Sequence, residues 1–214
     1  MFNFSLQALA LQIPAAFFAL VLHEMVKARC STWQGDPTPK NSGLMSGNPL
    51  KYLEPLGFIV TVIFGFGWGR PTPTSPLYYK DRKKGILITY ITPSLVNLFI
   101  GLLVALCAGI FNVTANRLLL SAPVVAYTIT VWLHLFLIIF ARISIGIAIF
   151  NMIPVPPLDA AKILQAALSP NAAIKMTQNK KLLQLALIVL VLIGVINSII
   201  DPITNLLVNV AWSL

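Results

Sequence analysis

Residues 5–26 read SLQALALQIPAAFFALVLHEMV, an apolar run that ends in two ionisable side chains, His23 and Glu24. A helix that crosses the hydrocarbon core of a bilayer needs about 20 residues, so this run is long enough. No basic segment precedes residues 6–22 and no small-residue cleavage site follows them, which favours a retained membrane helix over a signal peptide. Ionisable side chains inside such a helix are costly, and they indicate a functional site.

The composition of the chain is that of a membrane protein. Of its 214 residues, 57% are hydrophobic and 10% are charged, whereas a soluble domain carries about 25% charged residues. The net charge is +9. The basic residues fall in loops between apolar stretches, which is typical of cytoplasmic loops and does not favour a nucleic-acid partner. Cys30 and Cys107 form no disulfide framework or metal pattern.

Apolar stretches define the predicted architecture. We predict one all-α integral membrane domain over residues 1–214, a polytopic helix bundle with about four to six membrane segments. The connection at 112–117 separates two of these segments, and a weaker apolar tail at 203–212 either lies at the membrane interface or packs back on the bundle. The main stretches are 5–26, 55–69, 86–111, 118–151 and 182–200.

The stretch 55–69 is short and rich in glycine, which favours a re-entrant segment or hairpin over a full span. If it enters and returns, the basic segments 27–54, 70–85 and 152–181 all lie on one side, which the positive-inside rule makes cytoplasmic. A full crossing would break this charge pattern. It would also put the bilayer between the end of the first span and residues 152–181, which we predict to be a cytoplasmic Pro segment and connection.

A second polar position follows the fourth apolar stretch, where residues 151–159 read NMIPVPPLD. Three prolines prevent a helix here and leave backbone groups unpaired. Irregular backbone at membrane depth is tolerated only when it is buried in protein or lines a wet cavity. The segment is therefore expected to pack against the spans and to deliver Asp159 to a polar pocket.

The pair His23-Glu24 belongs to a recognisable metal motif in which one residue differs. In His-Glu-x-x-His on a helix, two histidines one turn apart bind zinc and the glutamate acts as general base. Here the run is His23-Glu24-Met25-Val26-Lys27. A protonated lysine has no lone pair to donate to a metal, and it repels a dication.

Together these features resemble the site-2 protease family of intramembrane zinc proteases (peptidase family M50), in its short, cytoplasm-facing prokaryotic form. The resemblance covers about residues 10–170 and rests on several pieces in the family's order. These pieces are His23-Glu24, the loop with Gly35-Asp36-Pro37-Thr38 and Asn48-Pro49-Leu50, Phe66-Gly67-Trp68-Gly69-Arg70-Pro71, Asn97, and Asn151 to Asp159.

The resemblance implies a role for each matched position. His23 and Asp159 would be two zinc ligands, Glu24 would activate the attacking water, and Asn97 would support the substrate or the oxyanion. The substrate would be a membrane protein, cut in or near its membrane span. The pocket would also include Lys27, Asn151, Pro156 and Pro157.

Three departures from the family pattern affect this prediction. Lys27 replaces the second zinc histidine, Ala160 replaces the glycine after the ligand aspartate, and Thr92-Pro93-Ser94 replaces Ala-Gly-Pro. His-Glu-x-x-Lys therefore predicts a metalloprotease homologue with weak or no activity, in which zinc binding is weak or lost. The alternative is a non-catalytic pseudoprotease that binds a membrane helix or partner protein. In either case we expect a Lys27–Asp159–Glu24 cluster, in which the ammonium replaces the metal charge.

Few other side chains could restore a third ligand. His134 is expected near the far end of its span, and Cys30 about 10 Å along the helix from His23. A neutral Lys27 could ligate, but the neighbouring carboxylates oppose it. Trp68 and Trp212 are interpreted as parts of the aromatic belts at the membrane interfaces.

Overall fold

The computed structural model describes residues 6–118 and 123–213, with the backbone alone at 113–118 and 212–213. Within these ranges the chain is helical and contains no β-strand, which confirms the prediction of an all-α fold. Single 3-10 turns lie in the loops at Leu44–Ser46, Pro49–Tyr52 and Pro76–Tyr78. The α-helices are α1 (Leu6–Trp33), α2 (Thr38–Asn41), α3 (Pro55–Phe64), α4 (Arg82–Leu118), α5 (Val124–Phe150), α6 (Asp159–Ala167), α7 (Pro170–Gln178), α8 (Lys180–Leu192) and α9 (Val195–Ser213).

Three of these helices are long and apolar enough to cross a membrane, namely α1, the Arg82–Asn112 part of α4, and α5. Helices α8 and α9 together pass the same test as one broken span, bent by 65°. The prediction of a polytopic membrane bundle is thus confirmed, near the lower end of the expected number of segments. Helix α3 has ten residues, about 15 Å of helix against a core about 30 Å thick. Its re-entrant insertion stays a prediction.

The bundle is held together by close contacts between small and branched residues. Ala15 and Ala19 of α1 are fully buried and pack in one cluster with Ile143 of α5. A Cβ on Gly101 of α4 would lie 2.6 Å from Cγ1 of Ile145. In lipid, where apolar burial drives helix association weakly, such small residues let the backbones approach closely and gain dispersion energy.

The predicted apolar stretch 182–200 is not one helix. Helix α8 ends just before Gly194, whose φ of +82° lies in the left-handed region that favours glycine. The chain then turns and continues as α9 through the predicted tail at 203–212. Val208 and Ala211 of that tail are buried in a cluster with residues of α4 and α5, so the tail packs back on the bundle.

The predicted connection at 112–117 is wrong, because the backbone stays helical as far as Leu118. Residues 112–117 contain no glycine or proline. Polar side chains alone do not end a helix that has already propagated from an apolar span.

Candidate functional site

Two elements build the site that the sequence predicts. Helix α1 carries His23, Glu24 and Lys27 on its buried side. Residues 151–158 form turns and bends without a helix, as the three prolines predict, and α6 begins at Asp159. The irregular segment therefore delivers the Asp159 carboxylate to α1 from the first turn of a helix, where the helix dipole favours negative charge.

The four side chains meet in one hydrogen-bonded cluster. Nζ of Lys27 donates to Oε1 of Glu24 at 2.6 Å and lies 2.7 Å from Oδ1 of Asp159. The other Asp159 oxygen, Oδ2, lies 3.0 Å from Nε2 of His23. All four residues are at most 3% exposed. The ammonium thus bridges the two carboxylates, as the sequence predicts, and the contact assigns the His23 proton to Nε2.

The charges of this cluster are balanced locally. Burial raises the pKa of Asp159, but the Lys27 ammonium and the hydrogen bond from His23 outweigh burial and hold that pKa below its usual range. A buried carboxylate without such a partner would be strongly destabilising. Lys27 therefore supplies the positive charge that lets Asp159 remain ionised inside the fold.

Sequence reasoning missed two contacts to Glu24. Thr72 donates its hydroxyl to Oε2 of Glu24 at 2.8 Å, so both carboxylate oxygens have a partner. A Cβ on Gly69 would lie 2.5 Å from Cγ of Glu24 and 2.9 Å from the Tyr52 carbonyl oxygen. Segment 66–74 therefore passes directly over Glu24. Thr72 directly follows the matched Phe66–Pro71 piece, and this position was the signal that could have indicated its contact with Glu24.

The two asparagines act on the backbone around the cluster. Asn151 donates Nδ2 to the Gly67 carbonyl at 3.2 Å, and its own carbonyl accepts from Ala160 N at 3.0 Å. It thus ties segment 66–74 to the start of α6. Asn97 is fully buried and donates Nδ2 to the Ala19 carbonyl at 3.1 Å, one turn before His23. Its Oδ1 has no hydrogen-bond partner among the described residues, and Asn97 does not line the site cavity.

The cluster faces a small cavity of about 30 Å³, roughly the volume of one water molecule in the liquid. Pro157 and Trp68 contribute apolar wall, and Tyr90 of α4 closes another side. Pro156 lies in a neighbouring cavity rather than in this one. The pocket can therefore hold a small polar molecule beside Glu24 and Asp159 but is too small for a peptide.

The candidate replacement ligands do not approach this cluster. His134 stacks on Phe111 at a ring distance of 6.5 Å, and Phe111 lies about 30 Å along α4 from Tyr90 at the site. Helix α1 stays unbroken through Trp33, so Cys30 remains about 10 Å from His23 along the axis.

Trp68 does not belong to an interfacial belt, so that interpretation is wrong. It is 4% exposed and stacks on Phe150 at 6.3 Å. The reason is local, because segment 66–74 folds back across the end of α5. The side chain of Trp212 lies outside the described part of the structure.

The residues present do not fit a catalytic zinc ion. Such a site takes three protein ligands and leaves the fourth position to water. The part of the chain that the structure describes contains no group of three or more His, Cys, Asp or Glu side chains able to hold a metal. By the family resemblance His23 and Asp159 would supply two ligands, and the third position carries the Lys27 ammonium, which has no lone pair to donate.

Comparison with known proteins agrees with this fold. The sequence model of peptidase family M50 matches residues 3–196. The Bacillus subtilis protein named "Putative zinc metalloprotease YwhC" is 30% identical over 163 residues, which cover 75% of this chain and 70% of that protein. No solved structure matches this chain significantly. The chain therefore belongs to peptidase family M50, the site-2 protease family, and is an integral membrane protein of that family.

Proposed function

We propose that this protein is a non-catalytic member of the M50 family that binds a membrane helix or partner protein without cutting it. The observation that carries the proposal is the position of Lys27, whose ammonium contacts Glu24 at 2.6 Å and Asp159 at 2.7 Å. In this proposal the lysine replaces the metal as the cation that holds the pocket together. The protein keeps the fold of a membrane protease and loses its chemistry.

The state of Glu24 supports the same conclusion. A general base must lie within hydrogen-bond reach of the water that it deprotonates, and hydrogen bonds that it already accepts compete with that water. Here Oε1 accepts from Lys27 and Oε2 accepts from Thr72. Glu24 is thus arranged as a partner of Lys27 and is poorly placed to activate water.

We place the pocket near the cytoplasmic side of a prokaryotic plasma membrane. The basic segments 27–54, 70–85 and 152–181 support this orientation through the positive-inside rule. The end of α1 and the start of α4 lie at the same end of the bundle, since Nε2 of Gln34 donates to the Gly85 carbonyl.

The test is the zinc content of the detergent-purified native protein beside Lys27→His. We expect far less than one zinc per chain in the native protein and a strong gain in Lys27→His, because the substitution completes three protein ligands. Lys27→His combined with Asp159→Asn is the matched control, since it carries the new histidine but lacks one ligand.

One zinc per native chain would contradict the proposal and point to a ligand from another source. A peptidase assay with Glu24→Gln as the inactive control would then decide whether that metal supports cleavage. Cleavage by the native protein that Glu24→Gln abolishes would also contradict the proposal.

A further inference from the structure

A groove beside the site joins two cavities of about 410 and 180 Å³. Both cavities are lined by Pro71, Lys162 and Gln165, so they are adjacent. Helix α6 lines both cavities, while the proline-rich segment 71–76 lines the larger one and reaches the smaller one only through Pro71. The small cavity over Glu24 shares Pro71 and Lys162 with the groove. The groove is therefore elongated and passes the entrance of the site.

The lining of this groove carries charge of one sign. Arg82 lines the larger cavity, Lys180 lines the smaller one, and Lys162 lines both, with no carboxylate among the described lining residues. The two acidic residues in the adjoining site cavity, Glu24 and Asp159, are already paired with Lys27. The groove thus presents three cations that a ligand can neutralise.

All three groove cations are exposed, and Lys162 differs from an ordinary surface lysine because its ammonium lies close to protein on one side. Partial burial lowers the pKa of Lys162, and the nearby Lys180 ammonium lowers it further, while Asp159 opposes this only in part. Two like charges held beside a partly desolvated cavity destabilise the empty groove. A carboxylate placed between them would remove this repulsion.

The cations of the groove have a simpler explanation, which is a general excess of basic residues at one end of the bundle. A test of the groove must distinguish this excess from a binding site. The positive-inside rule puts lysines in such loops without any ligand. Lys83, Lys175 and Lys181 are exposed at the same end and line neither cavity of the groove. They have the same charge as the groove cations, and Lys181 is the immediate neighbour of Lys180.

We propose that the groove binds an extended, acidic segment that flanks the membrane helix of the partner protein. The inference rests on the proposed function and specifies the chemistry of that partner. The elongated shape favours a polypeptide, because a lipid headgroup would fill only one of the two cavities. Pro71, Pro73 and Pro76 offer apolar surface to such a segment in the larger cavity, while Lys162 and Lys180 meet its acidic side chains.

The experiment uses a labelled single-span peptide with a juxtamembrane tail of alternating Glu and Ser, and a second peptide with Gln in place of Glu. Binding to the full chain is measured by energy transfer in phosphatidylcholine vesicles. The groove variant is Arg82→Gln, Lys162→Gln and Lys180→Gln combined. The control variant is Lys83→Gln, Lys175→Gln and Lys181→Gln combined, which removes the same charge outside the groove.

We expect the groove variant to bind the Glu tail about tenfold more weakly and the control variant to change affinity about twofold at most, since each exposed ion pair contributes only modestly. The native protein should prefer the Glu tail to the Gln tail, and added salt should reduce this preference. If the groove variant has a lower Tm than the native protein, the single variants Lys162→Gln and Lys180→Gln replace it, with Lys181→Gln as their control.

Four results would overturn the proposal. Equal losses in the groove and control variants would mean nonspecific charge attraction. Equal binding of the Glu and Gln tails would contradict the preference for an acidic segment but leave the binding of a membrane helix intact. Binding of neither peptide would count against the acidic groove and against the proposed function as well. Lipid retention is measured separately, by purifying each protein from membranes that contain phosphatidylglycerol. Less retained phosphatidylglycerol in the groove variant than in the native protein, with unchanged binding of the Glu tail, would identify a lipid headgroup site instead.

Discussion

The ammonium of Lys27 lies 2.7 Å from Oδ1 of Asp159 and joins α1 to the first residue of α6. By the family resemblance both positions would belong to zinc ligands, so the ammonium lies where a metal would be expected. Together with the 3.0 Å contact between Nε2 of His23 and Oδ2 of Asp159, it links α1 directly to the start of α6. The stability of the fold should therefore depend on this pair.

Replacing Lys27 with Met is expected to lower the free energy of unfolding by about 3–5 kcal/mol, because it leaves two buried carboxylates without their cation. The matched control is Lys84→Met. Lys84 pairs with Asp81 at 3.9 Å on the surface and is 80% exposed, so its loss should change stability by about 1 kcal/mol at most. Denaturant unfolding in detergent measures both. A Lys27→Met protein as stable as the native one would show that the cluster does not hold the fold.

The hydrogen bond from Thr72 to Glu24 should contribute more to the free energy of unfolding than the bond of similar length between Thr74 and Tyr90. Thr72→Val removes the donor to a buried carboxylate, and the expected cost is about 1.5–3 kcal/mol, the range for bonds to charged groups. Thr74 bonds to the Tyr90 hydroxyl at 2.6 Å, and either oxygen could be the donor. The same substitution at Thr74 should cost about 0.5–1.5 kcal/mol, the range for neutral bonds. Equal losses of unfolding free energy in the two variants would mean that the bond from Thr72 contributes no more than the bond between Thr74 and Tyr90.

Several features of the site could be predicted from the sequence because their chemistry is local. The spacing from Glu24 to Lys27 places both on one helix face, and the prolines before Asp159 exclude a helix there. A buried carboxylate needs a cation, which left Lys27 as the partner of Asp159. These predictions needed no knowledge of how the helices pack.

Other features depend on packing between distant segments, so the sequence pattern could not show them. Thr72 reaches Glu24 only because segment 66–74 crosses α1, and the same crossing buries Trp68 against Phe150. The break at Gly194 and the helical residues 112–117 depend on how local preferences compete with propagation of the helix. Hydropathy alone reports how apolar a stretch is, and it does not locate such boundaries.

Gly69→Ala tests the close crossing over Glu24. The added Cβ would lie 2.5 Å from Cγ of Glu24 and 2.9 Å from the Tyr52 carbonyl oxygen. Either the segment or the carboxylate must shift, and overpacking of this kind costs about 1–3 kcal/mol. In the background of Glu24→Ala one of the two obstacles is gone, so part of this loss should disappear. A double-mutant cycle on the free energy of unfolding should show a coupling of at least about 0.5 kcal/mol between the two sites. Strict additivity would contradict the observed crossing.

Asp36 provides a prediction about pH in the loop after α1. Its Oδ2 accepts from the Ser31 hydroxyl at 2.7 Å and from Ser75 N at 2.7 Å, and its Oδ1 accepts from Thr38 N at 2.9 Å. Burial raises the pKa of Asp36, but these hydrogen bonds outweigh burial and hold the pKa below its ordinary value. The folded state therefore binds the Asp36 proton less tightly than the unfolded state does.

The sign of the effect follows from this lowered pKa. Asp36 stabilises the fold fully at pH values above its unfolded pKa of about 3.9, and the contribution is lost as the pH falls through the lower folded value. Asp36→Asn should therefore be less stable than the native protein near neutral pH, and the difference should shrink as the pH falls below about 4. Comparing the two proteins cancels the titration of other carboxylates, Asp159 included, because they are common to both. Denaturant unfolding at several pH values measures the difference in unfolding free energy between the two proteins. If that difference stays constant down to about pH 3, Asp36 does not have the lowered pKa on which this prediction rests.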